Sequence, residues 1–167
     1  MPHYNEVPPP APGPVVEFAQ HVGRLHTLLD RGVVAAARSF GLSRSEFDVL
    51  VAVAARPDGL RPGELAKGLL LTTGGLSNIL RRLQEEGLVE RLPESSDRRG
   101  RKIRLTGGGW VLARDTTEAV YASIQRLLGP ADASRLADAN AHLHSVLGAL
   151  GEDAPVHRLQ NRPDTTS

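Results

Sequence analysis

Apolar residues in the first part of the chain recur at helical spacing. Val15, Phe18 and Val22 begin a pattern of three- and four-residue steps that continues to about Phe40. Gly41 then follows as a helix stop. The pattern therefore predicts one long amphipathic helix near the start of the chain.

Three shorter helices are predicted next. The stretch SRSEFDVLVAVAA carries Ser43 and Glu46 at capping-box spacing, just ahead of an apolar run. RPGELAKGLLL contains a proline that is acceptable in the first turn of a third helix, because the amide at that position has no helical partner. Thr72 or Thr73 caps a fourth helix that runs to about Glu86.

The remainder of the pattern predicts a hairpin and two more helices. LVERL and RKIRL have alternating character and bracket a charged loop, which is typical of a two-stranded hairpin. Thr106 then caps a long helix from about Gly109 to Leu128, and a further helix covers about Ala131 to Leu150. The expected fold class is mainly α with a small β-hairpin.

The order of the elements indicates how the chain is organised. Two short helices joined by a tight turn and followed by a hairpin describe a winged helix-turn-helix. The long helices at either end exceed what such a domain needs, and a second copy of the chain is the simplest surface for them to cover. The chain is thus divided into a flexible proline-rich arm (1–13), a dimerisation helix (14–41), the winged helix-turn-helix (42–106), two further dimerisation helices (107–150) and a flexible tail (151–167).

Composition narrows the class of protein. The chain has no cysteine, so disulfides and thiolate metal sites are excluded. No apolar run approaches the roughly 18 residues of a membrane span, and the N-terminus does not read as a signal peptide. We therefore expect a cytoplasmic globular protein with no membrane partner. The net charge is only +1, but the middle of the chain, residues 72–104, is rich in arginine, as a localised phosphate-facing patch requires.

A helical wheel separates two faces of the fourth helix. The face predicted to be buried comprises Leu76, Ile79, Leu80 and Leu83. The opposite face comprises Gly74, Asn78, Arg81 and Glu85, with Ser77 and Arg82 flanking them. An amide, a hydroxyl and guanidinium groups on a free face suit the DNA major groove, and glycines allow a backbone to approach a phosphate. The alternative is an ordinary amphipathic surface helix with a frayed glycine start.

The predicted hairpin carries a concentrated positive charge at its tip. Its candidate DNA-contacting residues are Arg98, Arg99, Arg101 and Lys102. Such a wing would lie against a phosphate backbone or a narrow minor groove. Asp97 would be repelled by phosphate, so we expect it to pair with a neighbouring arginine and fix the shape of the loop. A solvated charged loop is the alternative, but it explains neither the flanking strands nor the adjoining helix pair.

These elements together resemble the MarR (multiple antibiotic resistance regulator) family of transcription factors. The similarity is carried by "ELA", the recognition helix, "L..EGLVER", "DRRG" and "LT..G", in this order within GELAKGLLLTTGGLSNILRRLQEEGLVERLPESSDRRGRKIRLTGGG. The resemblance implies a homodimer that binds a pseudo-palindromic operator with two recognition helices in successive major grooves. It also implies that Asp97 is a structural acid and that Arg98 or Arg99 enters the minor groove. One departure is Ile79, where many relatives carry a basic residue.

The resemblance further implies a regulator, more often a repressor, that responds to a small aromatic or anionic effector. The expected DNA-contacting residues of the recognition helix are Thr72, Thr73, Gly74, Gly75, Ser77, Asn78, Arg81 and Arg82. The effector would bind between the dimerisation helices and the winged domain. Candidate lining residues are His21, Arg24, His26 and Phe47, each of which can equally be an ordinary surface or core residue.

Other functions fit the sequence less well. No catalytic triad order, phosphate loop or HExxH motif is present, so neither an enzyme nor a catalytic residue is expected, and no cofactor is implied. A metal-responsive regulator of the same fold remains open, although no metal ligands can be named and a site without cysteine would use only nitrogen and oxygen donors. A winged helix used for protein interaction also remains open, and salt-dependent binding to duplex DNA would distinguish it.

Overall fold

The computed structural model describes residues 13–92 and 101–152. Within these ranges the chain forms six helices and two strands, in the predicted order. They are α1 (Pro14–Arg38), α2 (Arg44–Ala54), α3 (Pro62–Gly68), α4 (Thr73–Glu85), β1 (Val89–Leu92), β2 (Lys102–Leu105), α5 (Gly107–Leu128) and α6 (Ala133–Ala149). The mainly α fold class with its small hairpin is confirmed. The predicted arm and tail lie almost entirely outside the described residues.

The helix starts follow from side-chain caps that the sequence signals. Ser43 and Glu46 form the predicted capping box: the Ser43 amide donates to Glu46 Oε2 at 2.8 Å, and the Glu46 amide donates to Ser43 Oγ at 3.3 Å. Thr72, rather than Thr73, caps α4 by accepting from the Gly75 amide at 3.1 Å. Side-chain oxygens here satisfy amides that have no partner inside the helix.

The hairpin carries a short extension that the sequence did not predict. β1 and β2 pair antiparallel, with Val89 opposite Leu105 and Leu92 opposite Lys102. Leu60, in the connection between α2 and α3, also bridges to Ile103, with backbone hydrogen bonds of 3.0 and 2.7 Å. The connection between α2 and α3 is therefore tied to the inner strand of the wing.

The core lies in the winged domain and along the middle of α5. Buried leucines and valines of α2, α3, α4 and the hairpin pack together, and α5 crosses both α1 and α2. In contrast, α6 buries none of its side chains. Large apolar side chains are exposed on the outer helices, at Val15, Val16, Phe18, Val22, Leu25, Leu28, Tyr121, Leu127, Val146 and Leu147. No helix in the described ranges has the length and apolar character needed to cross a membrane.

Candidate nucleic-acid interface

The fourth helix presents the two faces that the wheel predicted. Leu76, Leu80 and Leu83 are each at most 2% exposed and hold α4 against the core. Ile79 is only half-buried, at the edge of this stripe, where it packs against the same cluster. Ile79 therefore packs against the core and is not part of the outward face of α4.

The outward face of α4 is polar and open. Thr73, Ser77, Asn78 and Arg81 are exposed, and Arg81 makes a long 3.5 Å hydrogen bond from Nη2 to Asn78 Oδ1. A side chain added at Gly74 would meet nothing within 4 Å. Packing within the chain therefore does not require glycine there, and the open space would admit the close approach of another molecule.

The structure places Arg82 differently from the other predicted recognition-helix residues. Its Nη1 contacts Glu46 Oε1 of α2 at 2.9 Å, and its Nε donates to Glu86 Oε1, also at 2.9 Å. The hydrogen bond to Glu86, together with the charges of Glu46 and Glu86, raises the pKa of Arg82. The guanidinium is therefore paired with acids of the same chain, while half of the Arg82 side chain remains exposed.

Part of the predicted wing can be placed. Asp97, Arg98 and Arg99 lie outside the described residues, so their predicted roles stay predictions. Arg101 is exposed just before β2, and Lys102 is half-buried at its first position. These two cations lie at the start of the strand that leads away from the wing tip, next to the loop predicted to carry the others.

One more arginine, which the sequence analysis did not single out, lies beside the outward face of α4. Arg91 of β1 donates from Nε to Gln84 Oε1 of α4 at 3.2 Å. With Ser77, Arg81 and Glu85 these two residues line a surface pocket of about 420 Å³. Arg91 lies in the "LVER" motif, whose arginine follows the recognition helix closely enough to have indicated this position.

The predicted effector residues differ in their surroundings. His21, Arg24 and His26 are exposed on the first half of α1, whereas Phe47 is 7% exposed in the core cluster. None of them lines the surface pockets at the α2–α3 connection or beside α4. Within the described ranges no group of three or more His, Cys, Asp or Glu side chains could hold a metal ion.

A helix-turn-helix with an outward polar face, followed by an antiparallel hairpin, defines a winged helix-turn-helix of the DNA-binding class. The model of the MarR family matches residues 40–100. The transcriptional repressor Rv2887 of Mycobacterium tuberculosis is 31% identical over 130 residues, covering 78% of this chain and 90% of the repressor. The transcriptional regulator PecS of Dickeya dadantii is 27% identical over 143 residues, covering 84% of this chain and 81% of PecS. The chain belongs to the MarR family of DNA-binding transcriptional regulators, which are not enzymes.

Solved structures agree with this assignment. A cysteine-to-serine mutant of Escherichia coli MarR complexed with operator DNA aligns with a TM-score of 0.69 and 27% identity, over 80% of this chain and 95% of that one. Rv2887 in complex with salicylic acid aligns with a TM-score of 0.64 and 28% identity, over 81% and 96%. The predicted family is thus confirmed.

Proposed function

We propose that the protein is a homodimeric, sequence-specific repressor that binds a pseudo-palindromic operator and is released by a small aromatic or anionic molecule. The observation that carries the proposal is the outward face of α4, whose polar side chains are exposed and have no packing role. The repressor relative, the operator-bound MarR structure and the salicylic acid complex support it by family likeness.

In this proposal α4 enters the major groove with its outward polar face. Ser77, Asn78 and Arg81 would contact base edges, since amide and guanidinium groups match the donor and acceptor patterns displayed there. Thr72, Thr73, Gly74 and Gly75 would approach the backbone phosphates at the helix N-terminus. The wing would add backbone or minor-groove contacts from Arg98, Arg99, Arg101 and Lys102, with Asp97 holding the loop.

Dimerisation explains the apolar surface of the outer helices. Val15, Phe18 and Val22 of α1 are 40% or more exposed, as are Leu147 and Leu150 at the end of α6. A surface of this kind on the outer helices of one chain is costly in water unless another surface covers it. We propose that a second copy of the chain covers it, which would place two recognition helices on one side of the dimer.

The effector would act by favouring one arrangement of this dimer. A ligand shifts such an equilibrium only by its difference in affinity for the two states. The proposed site lies between the dimerisation helices and the winged domain, with His21, Arg24, His26 and Phe47 as candidate lining residues. The second subunit would complete it, because three of these residues are exposed on α1, one of the proposed dimerisation helices.

Binding to the DNA upstream of the coding region tests the proposal. Fluorescence anisotropy with a salt titration and nonspecific competitor should show a discrete complex of one dimer per site. Arg81→Ala should weaken binding about 5- to 150-fold, equivalent to roughly 1–3 kcal/mol. Arg56→Ala, which removes an exposed arginine from the connection between α2 and α3, is the matched control and should bind normally. Equal loss in both variants, or a complex abolished by competitor, would contradict the proposal.

A further inference from the structure

The carboxylate of Glu46 is buried beside the recognition helix. Glu46 is 4% exposed, and its two oxygens have separate partners. Oε2 accepts from the Ser43 amide at 2.8 Å, and Oε1 contacts Arg82 Nη1 at 2.9 Å. A buried charge is stable only when it is paired and hydrogen-bonded, so both contacts are needed to keep it in place.

Arg82 extends this contact to the corner between α1 and α2. Its Nη2 donates to the backbone carbonyl of Gly41 at 3.2 Å, and its Nε donates to Glu86 at 2.9 Å. Gly41 lies just beyond the end of α1 and has a φ of +76°. One guanidinium therefore connects the recognition helix to the N-terminus of α2 and to the segment that leads out of α1.

The same corner is tied to the long first helix. Arg44, in the first turn of α2, contacts Asp30 of α1 and also donates from Nε to Asp48 at 2.9 Å. The side chains of Arg44 and Glu46 therefore connect α2 to α1 and to α4, respectively. The angle of α4 relative to α1 is constrained by charged contacts as well as by the leucine stripe.

These contacts differ in kind from the packing of the leucine face. Burial of apolar surface is non-directional, so the packing of Leu76, Leu80 and Leu83 defines the rotation of α4 about its axis less narrowly than hydrogen bonds do. A guanidinium shared between a carboxylate and a carbonyl permits a narrow range of positions, because its donors form a rigid planar fork. We propose that Glu46 and Arg82 are a positioning pair that sets the orientation of the recognition helix, so that Arg82 governs operator binding without touching DNA.

This inference rests on the proposed function and is tested by the same anisotropy assay. Arg82→Ala and Glu46→Gln should each weaken operator binding roughly tenfold, and the double variant should be little weaker than either alone, since contacting residues that act as a unit are non-additive. Binding to random duplex should change much less than binding to the operator. Glu86→Gln is the matched control: it removes the charge of the exposed partner of Arg82 and leaves the buried one, so it should bind within about twofold of the unaltered protein.

The salt dependence separates positioning from direct contact. The logarithm of the binding constant falls as log salt rises, and each phosphate contact makes this slope steeper by about 0.9. Losing one phosphate contact would therefore make the slope shallower by about 0.9. We expect an unchanged slope for Arg82→Ala. A shallower salt dependence in Arg82→Ala, or full operator affinity in Glu46→Gln, would overturn the inference while leaving the proposed function intact. Absence of operator binding by the unaltered protein would overturn both.

Loss of folding must be excluded as the cause of any weaker operator binding by these variants. Each variant is measured below its own melting temperature, as followed by circular dichroism. If Arg82→Ala does not fold, Arg82→Lys replaces it, because lysine keeps the charge facing Glu46 but lacks the planar fork that also donates to the Gly41 carbonyl. A folded Arg82→Lys protein with full operator affinity would overturn the inference, and a folded protein with reduced affinity and an unchanged slope would support it.

Discussion

Gly109, in the first turn of α5, allows that helix to begin directly against the hairpin. A Cβ built at this position would lie 2.0 Å from the backbone oxygen of Leu88 and 3.4 Å from Leu105 Cδ2. Because real Cβ atoms essentially never come closer than 3.0 Å, α5 or β1 would have to shift by about 1 Å. We therefore predict that Gly109→Ala destabilises the protein.

The magnitude follows from three contributions. Overpacking against a backbone atom costs about 1–3 kcal/mol. The shift also weakens the hydrogen bond from the Thr106 amide to the Leu88 oxygen, now 3.0 Å, which costs about 1 kcal/mol. Replacing a helical glycine by alanine raises the unfolding free energy by roughly 0.5–1 kcal/mol, which offsets part of this loss. The expected net loss is about 2 kcal/mol of unfolding free energy.

The neighbouring glycine provides a matched control. A Cβ at Gly108 would meet only Thr106 Oγ1, at 3.8 Å, so Gly108→Ala should be neutral or stabilise by up to about 1 kcal/mol. Urea unfolding of both variants at one protein concentration, followed by the fluorescence of Trp110, measures the difference. If Gly109→Ala proves as stable as Gly108→Ala, the steric reasoning is refuted.

Four further changes test the local physics, each by thermal or urea unfolding at fixed protein concentration. Leu70 adopts a φ of +53°, so Leu70→Gly should gain about 0.5–1 kcal/mol, and an unchanged or lower stability would contradict the strain argument. Gly41, at a φ of +76°, should show the opposite sign: Gly41→Ala should lose about 1–2 kcal/mol. Ser43→Ala should lose about 1 kcal/mol by removing the α2 cap, whereas Ser43→Thr should lose little. Thr116 is fully buried and its hydroxyl has no hydrogen-bond partner within the described ranges, so Thr116→Val should gain about 1 kcal/mol, and a loss would indicate a partner for the hydroxyl.

Local signals in the sequence were sufficient for the element order. Caps such as Ser43 with Glu46, and Thr106 ahead of α5, mark helix starts because they act over three residues. The residual errors are at the ends, where α1 stops at Arg38 rather than near Phe40 and α6 starts at Ala133 rather than Ala131. Helix ends are decided by competition between a few hydrogen bonds, which a periodicity does not resolve.

Contacts between distant parts of the chain were not accessible in the same way. The wheel grouped Arg82 with the outward residues because it measures angle about the helix axis and nothing else. Arg82 reaches Gly41, 41 positions earlier in the chain, only because α2 packs beside α4. The bridge between Leu60 and Ile103 is of the same kind, since no pattern in either segment specifies the other. Tertiary partners of charged side chains therefore had to come from the structure.

The attachments of the winged domain indicate where a regulatory movement would have to occur. Thr106 Oγ1 donates to the carbonyl of Gly87 at 2.7 Å and accepts from the Gly109 amide at 3.0 Å, which joins α5 to the end of α4. Arg82, in the last turn of α4, joins α4 to the α1–α2 corner by donating to the carbonyl of Gly41. With both attachments intact, α4 cannot turn independently of α1 and α5. In the proposed dimer, a ligand would therefore alter the spacing of the two recognition helices by moving the whole winged domains about the exposed apolar surface of the outer helices.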